Sequence, residues 1–188
     1  MFNNIYRDKK VLVTGHTGFK GTWLTTWLLK LGAQVVGISI EIPTNPSMFE
    51  ELKLEDKIKH YQADIRNLSK MVEVISSEKP EFLFHLAAQP IVSTSYSDPI
   101  ETISSNVMGT ANILEALKIS NHKCTAIIIT SDKAYDNVEQ VWGYKEDDKM
   151  GGKDIYSGSK GAAELIIKSY YHSFLKNKDS NIKLAIGR

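Results

Sequence analysis

Short apolar runs alternate along this chain with longer stretches in which apolar residues recur every three or four positions. The runs cover 11–14, 34–40, 58–63, 81–86, 124–131 and 182–186. Most are rich in β-branched residues, and none alternates cleanly between apolar and polar. That is the pattern of strands buried on both faces of a sheet. The segments between them read as helices. Residues 21–31 place Trp23, Leu24, Trp27, Leu28 and Leu31 on one face, so both tryptophans are expected in the core. Residues 67–77 do the same with Leu68, Met71, Val72 and Ile75. Residues 99–120 form a long helix with Ile103, Val107, Thr110, Ile113, Leu114 and Leu117 at helical spacing, and 156–175 form another. Strands alternating with helices predict an α/β fold: βαβ units in a doubly wound parallel sheet with helices on both faces.

Composition narrows the classes without choosing among them. The 188 residues, 42% hydrophobic and 24% charged, suit a single domain with a sizeable core. Net charge is +1, from 23 basic and 22 acidic residues, which gives no electrostatic case for nucleic acid or an anionic membrane. Cys124 is the one cysteine and opens an apolar run, so it reads as a small buried hydrophobe. No His/Asp/Glu cluster suggests a metal. The first ten residues lack a signal-peptide core and no run reaches membrane-spanning length, so a cytoplasmic protein is expected. The tail Ile182-Lys183-Leu184-Ala185-Ile186-Gly187-Arg188 reads as a strand about to deliver its chain onward, and the sequence ends where more protein is expected.

The first run leads into Gly15-His16-Thr17-Gly18-Phe19-Lys20-Gly21. Strand, tight glycine turn and helix make a dinucleotide-binding unit of the Rossmann type. Gly15 permits the turn, Gly18 lets the backbone approach a pyrophosphate, and Gly21 lets helix and strand pack closely. Free N–H groups at the helix start then face the phosphates. The end of the second strand offers no arginine or lysine, which favours NAD over NADP. Glu41 there fits either a ribose hydroxyl acceptor or a solvated loop acid. Asp64, ending the third strand, fits either an acceptor for the adenine amino group or the N-cap of the next helix.

Further on, Tyr156-Ser157-Gly158-Ser159-Lys160 places Tyr156 and Lys160 one helical turn apart. A phenol near pKa ~10 is a poor base at neutral pH, and an ammonium beside it is expected to lower that value. The pair suits removal of a proton from a hydroxyl while hydride leaves for nicotinamide. The fifth strand ends in Thr130-Ser131-Asp132-Lys133, and ligands in open α/β sheets lie beyond the carboxyl ends of strands. Ser131 can hydrogen-bond the reacting oxygen. Asp132 and Lys133 supply an acid and a base, as an elimination requires, or else decorate a solvated turn.

Together these residues resemble the extended short-chain dehydrogenase/reductases and, among them, the CDP-glucose 4,6-dehydratase family. The similarity runs through Gly15–Gly21, His85-Leu86-Ala87-Ala88-Gln89-Pro90, Asn106-Val107-Met108-Gly109-Thr110, Ser131-Asp132-Lys133, Tyr135-Asp136-Asn137, Trp142-Gly143-Tyr144 and Tyr156–Lys160. Ala134, Ile155 and Ser93 depart from the usual pattern, where cysteine, proline and a basic residue are common. The resemblance implies one NAD-binding domain over 1–188, with a smaller sugar-nucleotide domain to follow. It implies cofactor contacts from Gly15, His16, Thr17, Gly18, Phe19, Lys20, Gly21, Asp64, Ile65, Leu86, Ala87, Ala88, Gln89, Asn106, Thr130, Tyr156 and Lys160. Ser131, Asp132, Lys133, Tyr156 and Lys160 become the catalytic set, acting on a nucleotide sugar such as CDP-glucose. Lys133 is then the base at C5, if burial or a neighbouring cation lowers its pKa, or else it orients Asp132 or the substrate. His85 and His16 are either structural or in contact with cofactor. A homodimer through a four-helix bundle of 99–120 and 156–175, and a role in deoxysugar and O-antigen synthesis, are further implications.

Overall fold

The computed structural model describes residues 2–177 and 179–188. Six parallel strands form one sheet: β1 Lys10–Thr14, β2 Gln34–Ser39, β3 Lys59–Gln62, β4 Phe82–His85, β5 Cys124–Ile129 and β6 Ile182–Gly187. Their order is β3-β2-β1-β4-β5-β6. The direction of winding reverses between β1 and β4, and a crevice opens there at the strand ends. The helices are α1 Phe19–Lys30, α2 Met48–Glu51, α3 Leu68–Glu78, α4 Val92–Ser97, α5 Pro99–Ile103, α6 Gly109–Ser120 and α7 Ile155–Tyr170.

Successive residues of β1 explain the missing alternation. Leu12 faces a core of Ile38, Leu83, Ala126, Met71, Ile75, Leu114 and Leu117, drawn from the sheet and from α3 and α6. Val11 and Val13 face the opposite side with Leu28 and Val35. All three β1 residues are fully buried, so both faces of the central strand are apolar. Cys124 lies in the first core, and burial pushes its thiol up to about 12, as expected of an inert hydrophobe.

Local chemistry sets the ends of the elements. Asn67 caps α3 by accepting from the Lys70 amide, and Asp98 caps α5 by accepting from Glu101, with Pro99 in the first turn. The predicted helix 99–120 is interrupted by a π-helical turn, Ser104–Met108, between α5 and α6, and α7 continues into another, Tyr171–Leu175. The short α2 and α4 were not foreseen, since neither is long enough to show periodicity.

One core expectation is corrected. Trp23 is 59% exposed and Trp27 47%, while Thr22, Thr25 and Leu28 form the buried face of α1. Gly21 sets that rotation, because its missing side chain turns toward the loop beneath it. The tryptophans follow at positions that point outward, and Trp27 packs edge-on against Phe2.

Candidate cofactor and catalytic site

A cleft of about 610 Å³ lies at the reversal of winding, over the ends of β1 and β4. Gly15, Thr17, Gly18, Phe19, Lys20 and Gly21 form its floor, and Leu86, Ala87, Ala88 and Gln89 its facing wall. Asp64 and Ile65 close one end, while Thr130, Tyr156 and Lys160 stand at the other.

The three glycines are needed for different reasons. Gly15 has φ +72°, and a Cβ there would lie 2.8 Å from the Ala87 amide nitrogen. At Gly21 a Cβ would lie 2.0 Å from the Gly15 carbonyl oxygen, so any side chain would force α1 off the loop. Gly18 is the exception: a Cβ would meet nothing closer than the Gly15 oxygen at 3.5 Å, and its φ of −74° suits any residue. Nothing among the described residues demands glycine at 18. It lines the cleft and begins α1 with no side-chain cap, leaving backbone N–H groups for an external anion. The residues present therefore fit the pyrophosphate of a dinucleotide.

The His16 side chain is not on the cleft wall, and of the two readings its place in the sequence left open the structure gives it the structural one. Its ring is fully buried beneath the loop, with Nδ1 3.1 Å from Ser39 Oγ and Nε2 2.8 Å from His60 Nδ1. A Cβ at Gly37 would come within 2.5 Å of that ring, so Gly37 makes the space. Burial lowers the His16 pKa to about 4, and the neutral ring braces the turn from below. His85 is likewise structural, with its pKa lowered to about 3 by burial and then by the charge of Lys160. Thr14 Oγ1 accepts from the amides of Leu86 and Ala87, so its hydroxyl donates to His85 Nδ1 at 2.7 Å. His85 therefore carries its proton on Nε2 and donates to Thr110, which donates onward to the Asn106 carbonyl.

Asn106 is not a wall residue; it bonds backbone beside the cleft. The π turn carries it inward, where Oδ1 accepts from the Gln89 amide at 2.8 Å. Its Nδ2 donates to the Gln89 carbonyl and to Ser159 Oγ, which donates to the Tyr156 carbonyl. It thus fastens the wall to the first turn of α7. Gly109 lets this region approach Ile65, whose Cδ1 would lie 2.4 Å from a Cβ there.

Asp64 is not the N-cap of α3, a place held by Asn67. Its carboxylate is gripped by Arg66, with Nε at 2.8 and 3.0 Å and Nη2 at 2.6 Å. Those bonds from Arg66 hold the Asp64 carboxyl below its usual range. Arg66 also pairs with Glu101 of α5. Arg66, Glu101, Ser39, Ile40, Pro43 and Ser105 line the cleft and were missed from the sequence. Arg66 immediately follows the Asp64-Ile65 pair, and that adjacency was the one available signal. Glu41 joins the wall, with its carbonyl accepting from Thr17 Oγ1 at 2.6 Å.

Tyr156 is half-buried at the mouth and its ring centroid lies 5.8 Å from Lys160 Nζ. The expected depression of the phenol pKa is not what the structure gives. Burial raises it, the Ser131 hydroxyl opposes that, and the carboxylates of Asp132 and Asp154 add to the rise. Lys160 is 7% exposed, and burial, followed by repulsion from Lys20, lowers its pKa to about 8. A lysine so desolvated is a weaker electrostatic partner than the spacing alone suggests.

Ser131, Asp132 and Lys133 lie outside the cleft wall: Asp132 and Lys133 are on a single 3-10 turn, Asp132–Ala134, which Ser131 caps, and the Ser131 hydroxyl is close to that of Tyr156. Ser131 Oγ donates to Asp132 Oδ1 at 3.0 Å and accepts from the Lys133 amide. Asp132 and Lys133 are exposed, so the burial that a basic Lys133 requires is not supplied by the described residues. Burial pushes the Asp154 carboxyl up, but Ser157, which it caps, and the nearby Lys133 charge hold it below the usual range. Among the described residues no three potential ligands are grouped to hold a metal, and no helix is long and apolar enough to cross a membrane.

Known proteins share this arrangement. CDP-glucose 4,6-dehydratase of Salmonella typhimurium is 50% identical over 171 residues, 91% of this chain and 48% of that protein. The structure of UDP-glucuronic acid 4-epimerase from Bacillus cereus, in complex with UDP-glucuronic acid and NAD, superposes with a TM-score of 0.78 at 29% identity. It matches 94% of this chain and 55% of that one. UDP-glucose 4-epimerase of Thermotoga maritima shares the fold at a TM-score of 0.80 and 23% identity, over 94% of this chain and 54% of that one. The chain spans about half the length of the curated relatives it matches. The family model for GDP-mannose 4,6 dehydratase matches residues 12–178. The chain belongs to the GDP-mannose 4,6 dehydratase family, within the extended short-chain dehydrogenase/reductases.

Proposed function

We propose that the full-length protein is an NAD-dependent nucleotide-sugar 4,6-dehydratase that converts CDP-glucose to CDP-4-keto-6-deoxyglucose. The observation that carries this reading is the placement of the Ser131-Asp132-Lys133 turn beside a tyrosine–lysine pair at the mouth of a dinucleotide-shaped cleft. The loop Gly15–Gly21 holds the pyrophosphate, and Asp64 and Ile65 border the adenine end. Arg66 is already committed to Asp64 and Glu101, and with Glu41 on the wall this favours a ribose hydroxyl over a 2′-phosphate. NAD, when bound, would supply the hydride acceptor for the reaction.

Tyr156, aided by Ser131, takes the proton of the C4 hydroxyl as the C4 hydride leaves. The resulting ketone acidifies C5–H. Lys133 removes that proton once the sugar covers and desolvates it, and Asp132 protonates the departing C6 hydroxyl as water. The proton held by Lys133 returns to C5 as C6 receives the hydride back, which gives the 4-keto-6-deoxy sugar with no net redox change and no external reductant. The CDP preference rests on the 50% identical Salmonella relative. The exposed Ile100, Ile103, Met108, Leu165 and Phe174 on α5, α7 and the π turns support a homodimer through these helices. A cytoplasmic location and a supply of deoxysugar for O-antigen synthesis accompany the proposal.

The test is to incubate full-length protein with several NDP-hexoses and look for a 4-keto-6-deoxy product. Loss of one water with CDP-glucose is expected. A product of unchanged mass overturns the dehydratase in favour of an epimerase. Residues 1–188 alone are expected to bind NAD with little turnover, and substantial activity from them contradicts the division of labour assumed here.

A further inference from the structure

Glu164 is fully buried, carries no part of the chemistry above, and lies on the same face of α7 as Tyr156 and Lys160, one turn beyond the lysine. Its carboxylate accepts from Thr130 Oγ1 at 2.7 Å. It also takes three bonds from Arg188, from Nε at 2.9 and 3.0 Å and Nη2 at 2.7 Å. Thr130 is the residue before Ser131, between β5 and the acid–base turn. Arg188 follows β6, donates through Nη1 to the Tyr135 hydroxyl and the Glu146 carbonyl, and stacks its guanidinium 4.7 Å from the Tyr135 ring centroid. Tyr135 directly follows the turn and stacks on Tyr144 at 5.0 Å.

The acid–base turn is thus held at both of its ends. Thr130 in front of it bonds Glu164 directly, and Tyr135 behind it bonds Glu164 through Arg188. Within the turn, Asp132 and Lys133 are exposed, and its side-chain bonds run among its own residues. A buried carboxylate with its charge matched and its lone pairs filled is a rigid fixture, and breaking one partner disturbs the rest.

We infer that Glu164, together with Arg188, is the positioning residue that sets the distance between the Ser131-Asp132-Lys133 turn and the Tyr156–Lys160 pair. The inference rests on the dehydratase reading for its kinetic consequence, but its structural consequence is independent of that reading. Slackening the clamp leaves Tyr156 and Lys160 on their helix and displaces the groups that follow oxidation. Elimination then lags behind hydride transfer.

The experiment uses full-length protein with Glu164→Gln, which keeps the shape and removes the charge opposite Arg188. Thr130→Val, which spares the ion pair, is run in parallel. Hydrogen exchange of the peptide spanning 130–136 is expected to quicken in both variants, while the first turns of α7 stay protected. With CDP-glucose, kcat is expected to fall roughly 10- to 100-fold, the scale of a small misplacement of catalytic groups, with KM little changed. Enzyme-bound NADH is expected to build up at 340 nm during turnover. Exchange that rises uniformly across the protein, or a wild-type NADH trace in either folded variant, overturns the proposal. If Glu164→Gln does not fold, Thr130→Val alone decides it by the same readings. If wild-type protein makes no 4-keto-6-deoxy product, the dehydratase reading fails, and the exchange pattern still decides the clamp.

Discussion

The glycine loop after β1 and the acid–base turn after β5 both sit at carboxyl ends of parallel strands, yet they are supported in opposite ways. The loop is braced from below by a buried histidine, from the side by Thr14 and from above by the start of α1. Its shape is dictated by backbone atoms that leave no room for a Cβ at two of three glycines. The acid–base turn presents the exposed side chains of Asp132 and Lys133, and it is moored at its ends, by Thr130 in front and behind by Tyr135 and by buried Ala134, whose carbonyl accepts from the Gly151 amide. On the proposed function, a site for a cofactor that stays bound through the cycle can be made rigid once. On the same proposal, a turn that works on a substrate is left reachable, to be completed when the substrate arrives.

The sharpest way to break this contrast lies within the loop itself. Gly21→Ala is expected to destabilise the fold by about 3 kcal/mol or more, because its Cβ meets fixed backbone. Gly18→Ala should instead leave stability unchanged or raise it by about 0.5 kcal/mol. It should nonetheless weaken NAD binding roughly tenfold or more, the equivalent of about 1.4 kcal/mol in lost contact. Urea denaturation beside NAD titration separates the two. Equal effects of both substitutions on stability would remove the argument that Gly18 serves a ligand.

At the other end, Tyr156→Phe is expected to cost roughly 10²- to 10⁴-fold in turnover and to abolish NAD reduction. Lys133→Met is expected to slow solvent exchange at C5 far more than NAD reduction. Measuring deuterium incorporation against absorbance at 340 nm distinguishes them, and equal loss of both in Lys133→Met refutes its role as the base.

Acid should reach the cofactor end through its buried histidines. His16 titrates near 4 and His85 near 3 in the fold, against about 6.5 in the unfolded chain. Between those values the unfolded state binds more protons, so stability is full above about pH 6.5 and is lost as pH falls toward 4. The slope is about 1.4 kcal/mol per pH unit for each histidine in that window. His85→Asn should remove one share of it, seen in urea midpoints at pH 7 and pH 5. The smallest effect is expected at Trp23, where exchange for Gln should cost under about 0.5 kcal/mol because the ring is 59% exposed.

The sequence alone was enough for the six strands, the major helices and the part of the cleft wall that lies in the glycine loop, after β4 and on α7. Two-faced apolar strands, helical periodicity and glycine spacing are local signals, each written within one or two dozen residues. The same locality misled at Trp23 and Trp27, where helical spacing was read without knowing that Gly21 fixes the rotation of α1. It left the side chains of His16 and Asn106 unplaced, because positions in motifs say nothing of which way side chains turn. It raised the expectation of an acidified Tyr156 from spacing, although burial and two nearby carboxylates raise the phenol pKa against the opposing Ser131 hydroxyl.

What the chain's order of residues determined by itself is the alternating α/β pattern, the anion-binding turn and the one-turn spacing of Tyr156 and Lys160. Only the tertiary structure decided that Arg66 bridges Asp64 to Glu101, that Asn106 ties Gln89 to Ser159, and that Glu164 gathers Thr130 and Arg188. The reason is physical: periodicity specifies which face of an element is buried. The pairing of polar groups across separate elements depends on how those faces meet, and no local spacing encodes that.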